Sequence, residues 1–219
     1  MCGRYAAILP ADTLAALFKI AGPPPNWAPT WNMAPTRSAP VVRLHPETRA
    51  RHLDLLRWGL VPHWVKSLKE TRQPINARSE TLAVTPMFRD AFARRRCLVP
   101  ADAFYEWHVS DEGRQPWAIA RTDGAPLVFG GVWEGWRAPD GEVIRSFTIA
   151  TTAACPTLRP LHERMPVVLE EADWPLWLGE VPGDVVRLLR PSAAAFNTWM
   201  VSAAVNNVRN DSADLLEPV

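Results

Sequence analysis

Proline sets the first limit on what this chain can fold into. The 219 residues include 22 prolines, and a residue that fixes φ and lacks an N–H interrupts helix interiors and central strands. Short elements joined by many connections are therefore expected, and a bundle of long helices is excluded. Between the prolines the chain reads mostly as strands. Cys97–Val99, Phe104–Val109, Trp117–Arg121, Leu127–Trp133 and Val143–Thr151 are expected strands, separated by turn signals at Asp111-Glu112-Gly113-Arg114, Asp123-Gly124 and Asp140-Gly141. Gly3–Leu9, Val41–Leu44, Leu53–Trp58, Val167–Leu169 and Trp199–Val205 complete the set, with His45-Pro46-Glu47-Thr48 as a turn.

Helical signals are few and short. The stretch from Pro10 to Gly22 places Leu14, Leu17 and Phe18 on one face, with Asp12 or Thr13 as its cap and Gly22 as its stop. Pro23-Pro24-Pro25 then enforces an extended connection. Trp31-Asn32-Met33-Ala34-Pro35-Thr36 and the polar stretch Val65–Pro74 are read as loops, and Ser79 as the cap of a helical turn. Thr85-Pro86 resembles a cap followed by proline at the first helical position, opening a helix that ends on Arg94-Arg95-Arg96, where cations suit the negative pole. Further helices are expected near Glu171–Leu178 and Gly183–Leu189. No internal repeat, low-complexity tract or linker interrupts the chain. The expected architecture is a single α+β domain over residues 1–219, with a mostly antiparallel, curled, barrel-like sheet and short peripheral helices.

Charge and cysteine content narrow the function classes. A net charge of +1 rules out a general polycation, so nucleic-acid contact has to come from a local basic face. Three cysteines, Cys2, Cys97 and Cys155, are too few for a disulfide framework and fit a reducing compartment. No apolar run reaches spanning length and no signal peptide is present, so a cytosolic protein is expected. The cysteines and 5 histidines show no metal-ligand spacing. The glycines form no phosphate-cradling loop.

The opening residues Met1-Cys2-Gly3-Arg4-Tyr5 carry the most specific chemistry. Initiator methionine is usually removed before a small residue, and Cys2 then bears an α-amine and a thiol on adjacent carbons. Both can attack one carbonyl carbon and close a five-membered ring. Their ordinary pKa values, about 7.7–8.0 and about 8.5, leave a usable fraction of each nucleophile near neutrality. A harmless packed cysteine is the competing explanation. Glu106, among Phe104, Tyr105 and Trp107, is either a carboxylate with a raised pKa suited to acid–base work or a residue on the wet face of a sheet. His162 is either a tuned acid–base group or a surface histidine. Asn76 can orient a nucleophile or cap a turn. Arg4, Arg78 and Arg164 lie beside these segments, and Trp31 and Trp64 offer flat surfaces for stacking bases.

Taken in order, six segments resemble one family. They are Met1–Tyr5, Asn32–Thr36, Trp58-Gly59-Leu60 with Pro62 and Trp64, Asn76–Thr81, Arg96–Ala101 running to Phe104-Tyr105-Glu106-Trp107, and His162–Pro166. Together they resemble the SOS response-associated peptidase (SRAP) domain, from residue 2 to the Asn207-Val208-Arg209-Asn210 tail. The resemblance implies an enzyme that crosslinks itself to abasic sites in single-stranded DNA, with no cofactor and no metal. It implies that Cys2 forms a thiazolidine, that Asn76 and Glu106 position and protonate the reacting groups, and that His162 assists sugar-ring opening and reversal. Arg4, Arg78 and Arg164 are then expected on phosphates, Pro35 and Trp64 against the DNA beside the lesion, and Asn32 in the same DNA-binding set. A monomer is expected, nucleoid-associated during repair, leaving room for replication-fork partners that the residues do not define. Two positions depart from the family pattern: Ala103 stands where glycine is common, and Val65 where some members carry a second aromatic. The latter leaves the stacking surface open.

Two other classes fit some of these residues. A Met-Cys-Gly start also suits an N-terminal-nucleophile amidohydrolase or thiol peptidase, with Cys2, His162 and Asn76 as its trio and self-removal of Met1 as one activity. A non-catalytic single-strand or modified-base binding module needs only Trp64 and the arginines.

Overall fold

The computed structural model describes residues 2–111 and 113–219. Met1, with its expected removal, and Glu112 of the expected turn lie outside the described residues. The chain begins with β1 (Arg4–Ala7), α1 (Ala11–Phe18), β2 (Thr30–Met33), β3 (Ser38–Leu44) and β4 (Arg51–Trp58). It continues with β5 (Asn76–Arg78), α2 (Ser79–Leu82), α3 (Arg89–Arg94), β6 (Arg96–Ala101), β7 (Ala103–Ser110) and β8 (Gly113–Arg121). The last elements are β9 (Leu127–Arg137), β10 (Val143–Ala153), β11 (Arg164–Pro166), α4 (Trp174–Leu178) and β12 (Phe196–Met200). Single 3-10 turns fill several connections.

Strands β10, β4, β3, β6 and β9 form a closed ring, because β9 pairs with β10 as well as with β6. β5 and β11 attach to β10 beyond the ring. A second sheet runs β12-β8-β7-β1-β2. All pairings are antiparallel except those of β10 with β4 and β5, so the structure is the expected mostly antiparallel, barrel-like α+β fold. Gly130 lets α4 pack closely on β9, and Gly131 lets β9 close on β10. A Cβ on Gly130 would meet the Trp177 ring at 2.8 Å, and one on Gly131 would meet the Thr148 carbonyl at 2.9 Å.

The two sheets share a core. Tyr5 of β1 packs edge-on against Trp58 and Phe129 of the ring, with centroids 5.0 and 6.1 Å away. Phe104 of β7 meets Phe129 in the same way at 5.9 Å. A second cluster joins the other side of the ring to α1, α3 and α4, where Phe18 lies 4.6 Å from Trp174. Burying one such side chain contributes about 1.5–3 kcal/mol, so these aromatics hold the cysteine-bearing strand to the barrel.

Several local expectations need correction. α1 is preceded by Pro10 with no side-chain cap, and Asp12 sits inside its first turn, where a carboxylate still favours the positive pole. The helix stops at Lys19, in left-handed geometry with φ 54°, before Gly22. Trp31–Met33 is strand because β1 pairs along it, and the loop begins only at Ala34. Asn76–Arg78 is a short strand beside β10. Downstream of Thr85-Pro86, helix α3 begins only at Arg89. The strand expected at Val167–Leu169 lies at Arg164–Pro166, with Val168 making an isolated bridge to Phe129. The helix expected near Gly183 reduces to a 3-10 turn at Val185–Leu188. The final strand ends at Met200, because the Ser202 side chain accepts from the Ala204 amide and starts a 3-10 turn.

Candidate active site

Cys2 lies two residues before the start of β1, which runs between β7 and β2 with Arg4 opposite Tyr105. Its side chain is 0% exposed, and its Sγ lies 3.8 Å from the Arg4 carbonyl. Burial, reinforced by the charge of Glu106, pushes the thiol far above its ordinary range. β5 delivers Asn76, whose Nδ2 donates to the Cys2 carbonyl at 2.7 Å. The Asn76 Oδ1 is buried and has no partner among the described residues. β7 delivers Glu106, opposite Trp117 of β8 and 3% exposed; burial raises its carboxyl. Three strands that are distant in sequence thus place an amide and a carboxyl around one cysteine.

His162 comes from the connection between β10 and β11. Its Nδ1 accepts from the Arg164 amide at 2.9 Å, which puts the proton of the neutral ring on Nε2. Burial lowers its pKa, so the ring is neutral at pH 7. The preceding Leu161 packs against the cluster that contains Cys2.

The residues expected to contact DNA divide into two groups. Trp64 is 55% exposed, and its neighbours hold the loop in place. Trp136 Nε1 donates to the Val65 carbonyl at 2.7 Å, Val61 donates to Ser146 Oγ at 2.8 Å, and His63 Nδ1 lies 3.3 Å from buried Glu134, itself paired with Arg95 at 2.5 Å. Arg78 is exposed, with no ion-pair partner among the described residues. Pro35 is half-buried in a turn closed by the Arg37 amide on the Ala34 carbonyl, with Thr36 held at φ 71°.

The second group is held by contacts within the protein. Asn32 is fully buried, and its Nδ2 donates to the carbonyls of Val205, Asn207 and Asn210, the shortest at 2.7 Å. These bonds clamp the C-terminal tail. Arg4 Nη1 bonds Asn32 Oδ1 at 2.7 Å and the Val205 carbonyl at 2.8 Å. Arg164 forms a two-point ion pair with Glu80 and donates to the Thr151 carbonyl at 2.6 Å, and this pairing holds the Glu80 carboxyl down to about 2. Sequence reasoning overlooked Glu80 and Glu134, whose partners are remote in the chain. It also missed a cleft of about 330 Å³ beside Gly3, lined by Arg4, Trp107, Arg114 and Asn206. The only hint there was the tail motif that begins one residue after Asn206, whose Oδ1 accepts from Trp107 Nε1 at 2.6 Å. Cys97 and Cys155 are buried free thiols.

Residues 1–208 match the family described as SOS response associated peptidase (SRAP), and the chain belongs to that family. Among its relatives, the abasic site processing protein YoqW of Bacillus subtilis is 34% identical, covering 99% of both chains. The abasic site processing protein HMCES of Mus musculus is 31% identical, covering 100% of this chain and 76% of the mouse protein. A crystal structure from Bordetella bronchiseptica, 27% identical, covers 92% of this chain and 100% of that one with a TM-score of 0.72. Another, from Bacteroides thetaiotaomicron at 20% identity, covers both chains fully with a TM-score of 0.87 and shares the fold.

Proposed function

We propose that the protein processes abasic sites in single-stranded DNA by covalent capture through Cys2. With residue 1 removed, the Cys2 α-amine attacks C1′ of the ring-opened deoxyribose aldehyde and loses water to give an imine. The thiol then adds to the imine carbon, its proton passing to nitrogen, and a thiazolidine closes. One water leaves and nothing is oxidised or reduced, so the chemistry requires no cofactor. The name shared by the curated relatives supports the substrate class.

The observation that carries this reading is the Asn76 Nδ2 bond to the Cys2 carbonyl at 2.7 Å. It fixes the Cys2 backbone while leaving the buried Asn76 Oδ1 as an acceptor suited to an amine or a sugar hydroxyl. A thiol held protonated by its surroundings makes the amine the first nucleophile. Glu106, with its raised pKa, suits the proton transfers at the carbinolamine and the closing thiol. A neutral His162 carrying its proton on Nε2 donates to the sugar oxygen during ring opening and its reverse. The same facts weigh against a thiol peptidase, which needs a thiolate and a histidine nitrogen free to take its proton. Arg78, Trp64 and Pro35 form the DNA-facing set in this reading. Arg4 and Asn32 secure the floor beneath it, and Arg164 contributes through its pair with Glu80. A single-stranded substrate lets these groups reach C1′ without a paired strand in the way.

The test uses full-length protein whose N-terminal Cys2 is verified by intact mass, incubated with an abasic single-stranded oligonucleotide. A product that survives denaturing electrophoresis, with the summed mass less one water, is expected. Cys2→Ala abolishes it while keeping salt-sensitive binding. Wild-type protein that binds but never crosslinks overturns the reading.

A further inference from the structure

We propose that a second, separate pocket binds a phosphate group. This cleft of about 280 Å³ lies between the β3–β4 turn, the C-terminal end of α3 and the end of α4. Arg49, Arg94, Arg95 and Arg96 line it together with Trp133, and no acidic side chain does. None of these residues belongs to the Cys2 site.

The guanidiniums of Arg49 and Arg96 converge, and neither has a carboxylate partner among the described residues. The Nη2 atoms of Arg96 and Arg49 crowd one point above Gly179, 2.9 and 3.8 Å from where its Cβ would lie. Backbone carbonyls hold both in place. Arg49 Nη2 donates to Gly179 at 2.9 Å, Arg96 Nε to Trp177, and Arg96 Nη1 to Phe92 at 2.6 Å and Ala93 at 3.1 Å. These carbonyls belong to the ends of α3 and α4, whose negative poles offset part of the charge. Of the nearby carboxylates, Glu134 pairs with Arg95 and Glu180 with Arg51, which leaves Arg49, Arg94 and Arg96 with no carboxylate partner among the described residues. Donors remain over: Arg95 Nε is buried with no partner among the described residues. The charge of Arg49, after burial, helps depress the Arg96 pKa, as two cations held together require.

The backbone points the same way. Arg49 sits at φ 59°, a left-handed geometry that disfavours a side chain, yet that geometry brings its guanidinium over Gly179. Arginine forks match phosphate oxygens through paired N–H donors. Trp133, with Arg43 stacked on it at 4.6 Å, forms an apolar wall beside them that suits the organic part of a phosphate ester.

The experiment titrates inorganic phosphate into full-length protein at constant ionic strength set by chloride, reading thermal midpoint and 31P line width. Saturable stabilisation in wild type is expected, at least tenfold weaker in the double variant Arg49→Gly/Arg94→Gln. Glycine suits the left-handed position, and Arg96, which holds the ends of α3 and α4, is left untouched, so that variant keeps its fold. A lesion-free single-stranded oligonucleotide then identifies the source. Displacement of phosphate assigns the pocket to the DNA backbone, and its persistence assigns it to a free phosphate or phosphate ester. Phosphate acting no differently from chloride, or equally on both proteins, overturns the proposal. Crosslinking of a short abasic oligonucleotide, measured alongside, reports on Cys2 independently.

Discussion

Cys2 and Glu106 are two acids in one dry space, and an ionised Glu106 makes ionisation of the thiol harder still. The folded Glu106 carboxyl titrates above its unfolded value, so folding takes up a proton between those two pKa values. Stability is therefore full below the unfolded pKa and falls as pH rises through the folded one. Glu106→Gln removes that penalty: it is expected to melt with wild type at pH 4 and above it at pH 8, while crosslinking slows and DNA affinity changes little. A constant difference in melting temperature at all pH values would remove burial as the cause. Arg164 allows a second comparison. Because its partner Glu80 titrates near 2, the pair persists at pH 4. Glu80→Gln releases the guanidinium, and single-strand affinity is expected to rise severalfold at low salt and converge with wild type at high salt.

At the scale of elements, the site depends on β2 and on the loop after β4. Asn32 ties β2 to the tail through three carbonyls and to Arg4 through its Oδ1. Truncating it leaves several buried groups unsatisfied, at about 1–3 kcal/mol for each one left without a partner. Asn32→Ala is therefore expected to cost at least about 2 kcal/mol in urea denaturation, with faster hydrogen exchange at residues 203–210. Glu134 similarly joins His63 to Arg95. Glu134→Gln is expected to speed exchange at residues 61–66 and weaken DNA binding, with the crosslinking rate at saturating DNA retained. The part of the chain from Cys97 to Thr151 was legible in the sequence because alternation and Asp-Gly turns act locally. β2 and β5 were not. Each is three or four residues long, and each carries a buried or half-buried asparagine whose partners lie in remote segments. The pairing of Arg164 with Glu80 spans 84 positions, and no local pattern announces it. Cys2, Asn76 and Glu106 were legible as a set only through the ordered family motifs, since local chemistry left each of them ambiguous.

The whole molecule is joined through its aromatics. Cys2 leads into β1 of the second sheet, whereas Asn76 lies on β5, paired with β10 of the ring, so the site exists only while the two sheets are docked. Tyr5, Phe104, Trp58, Phe129 and Phe147 lie in one cluster drawn from both sheets, and no boundary divides their contacts. Loss of either sheet would expose the other's largest buried rings, so partial unfolding is costly and a single cooperative transition is expected. Phe104→Ala tests this because Phe104 is fully buried on the second sheet and packs on Phe129 of the ring. A cavity there costs about 3–5 kcal/mol. Urea unfolding followed by far-ultraviolet circular dichroism and by tryptophan fluorescence should give superimposable curves in wild type, and both should move together to lower urea in the variant. If the fluorescence curve moved while the dichroism curve stayed, the sheets would be separate units, and the geometry at Cys2 would depend on a docking equilibrium.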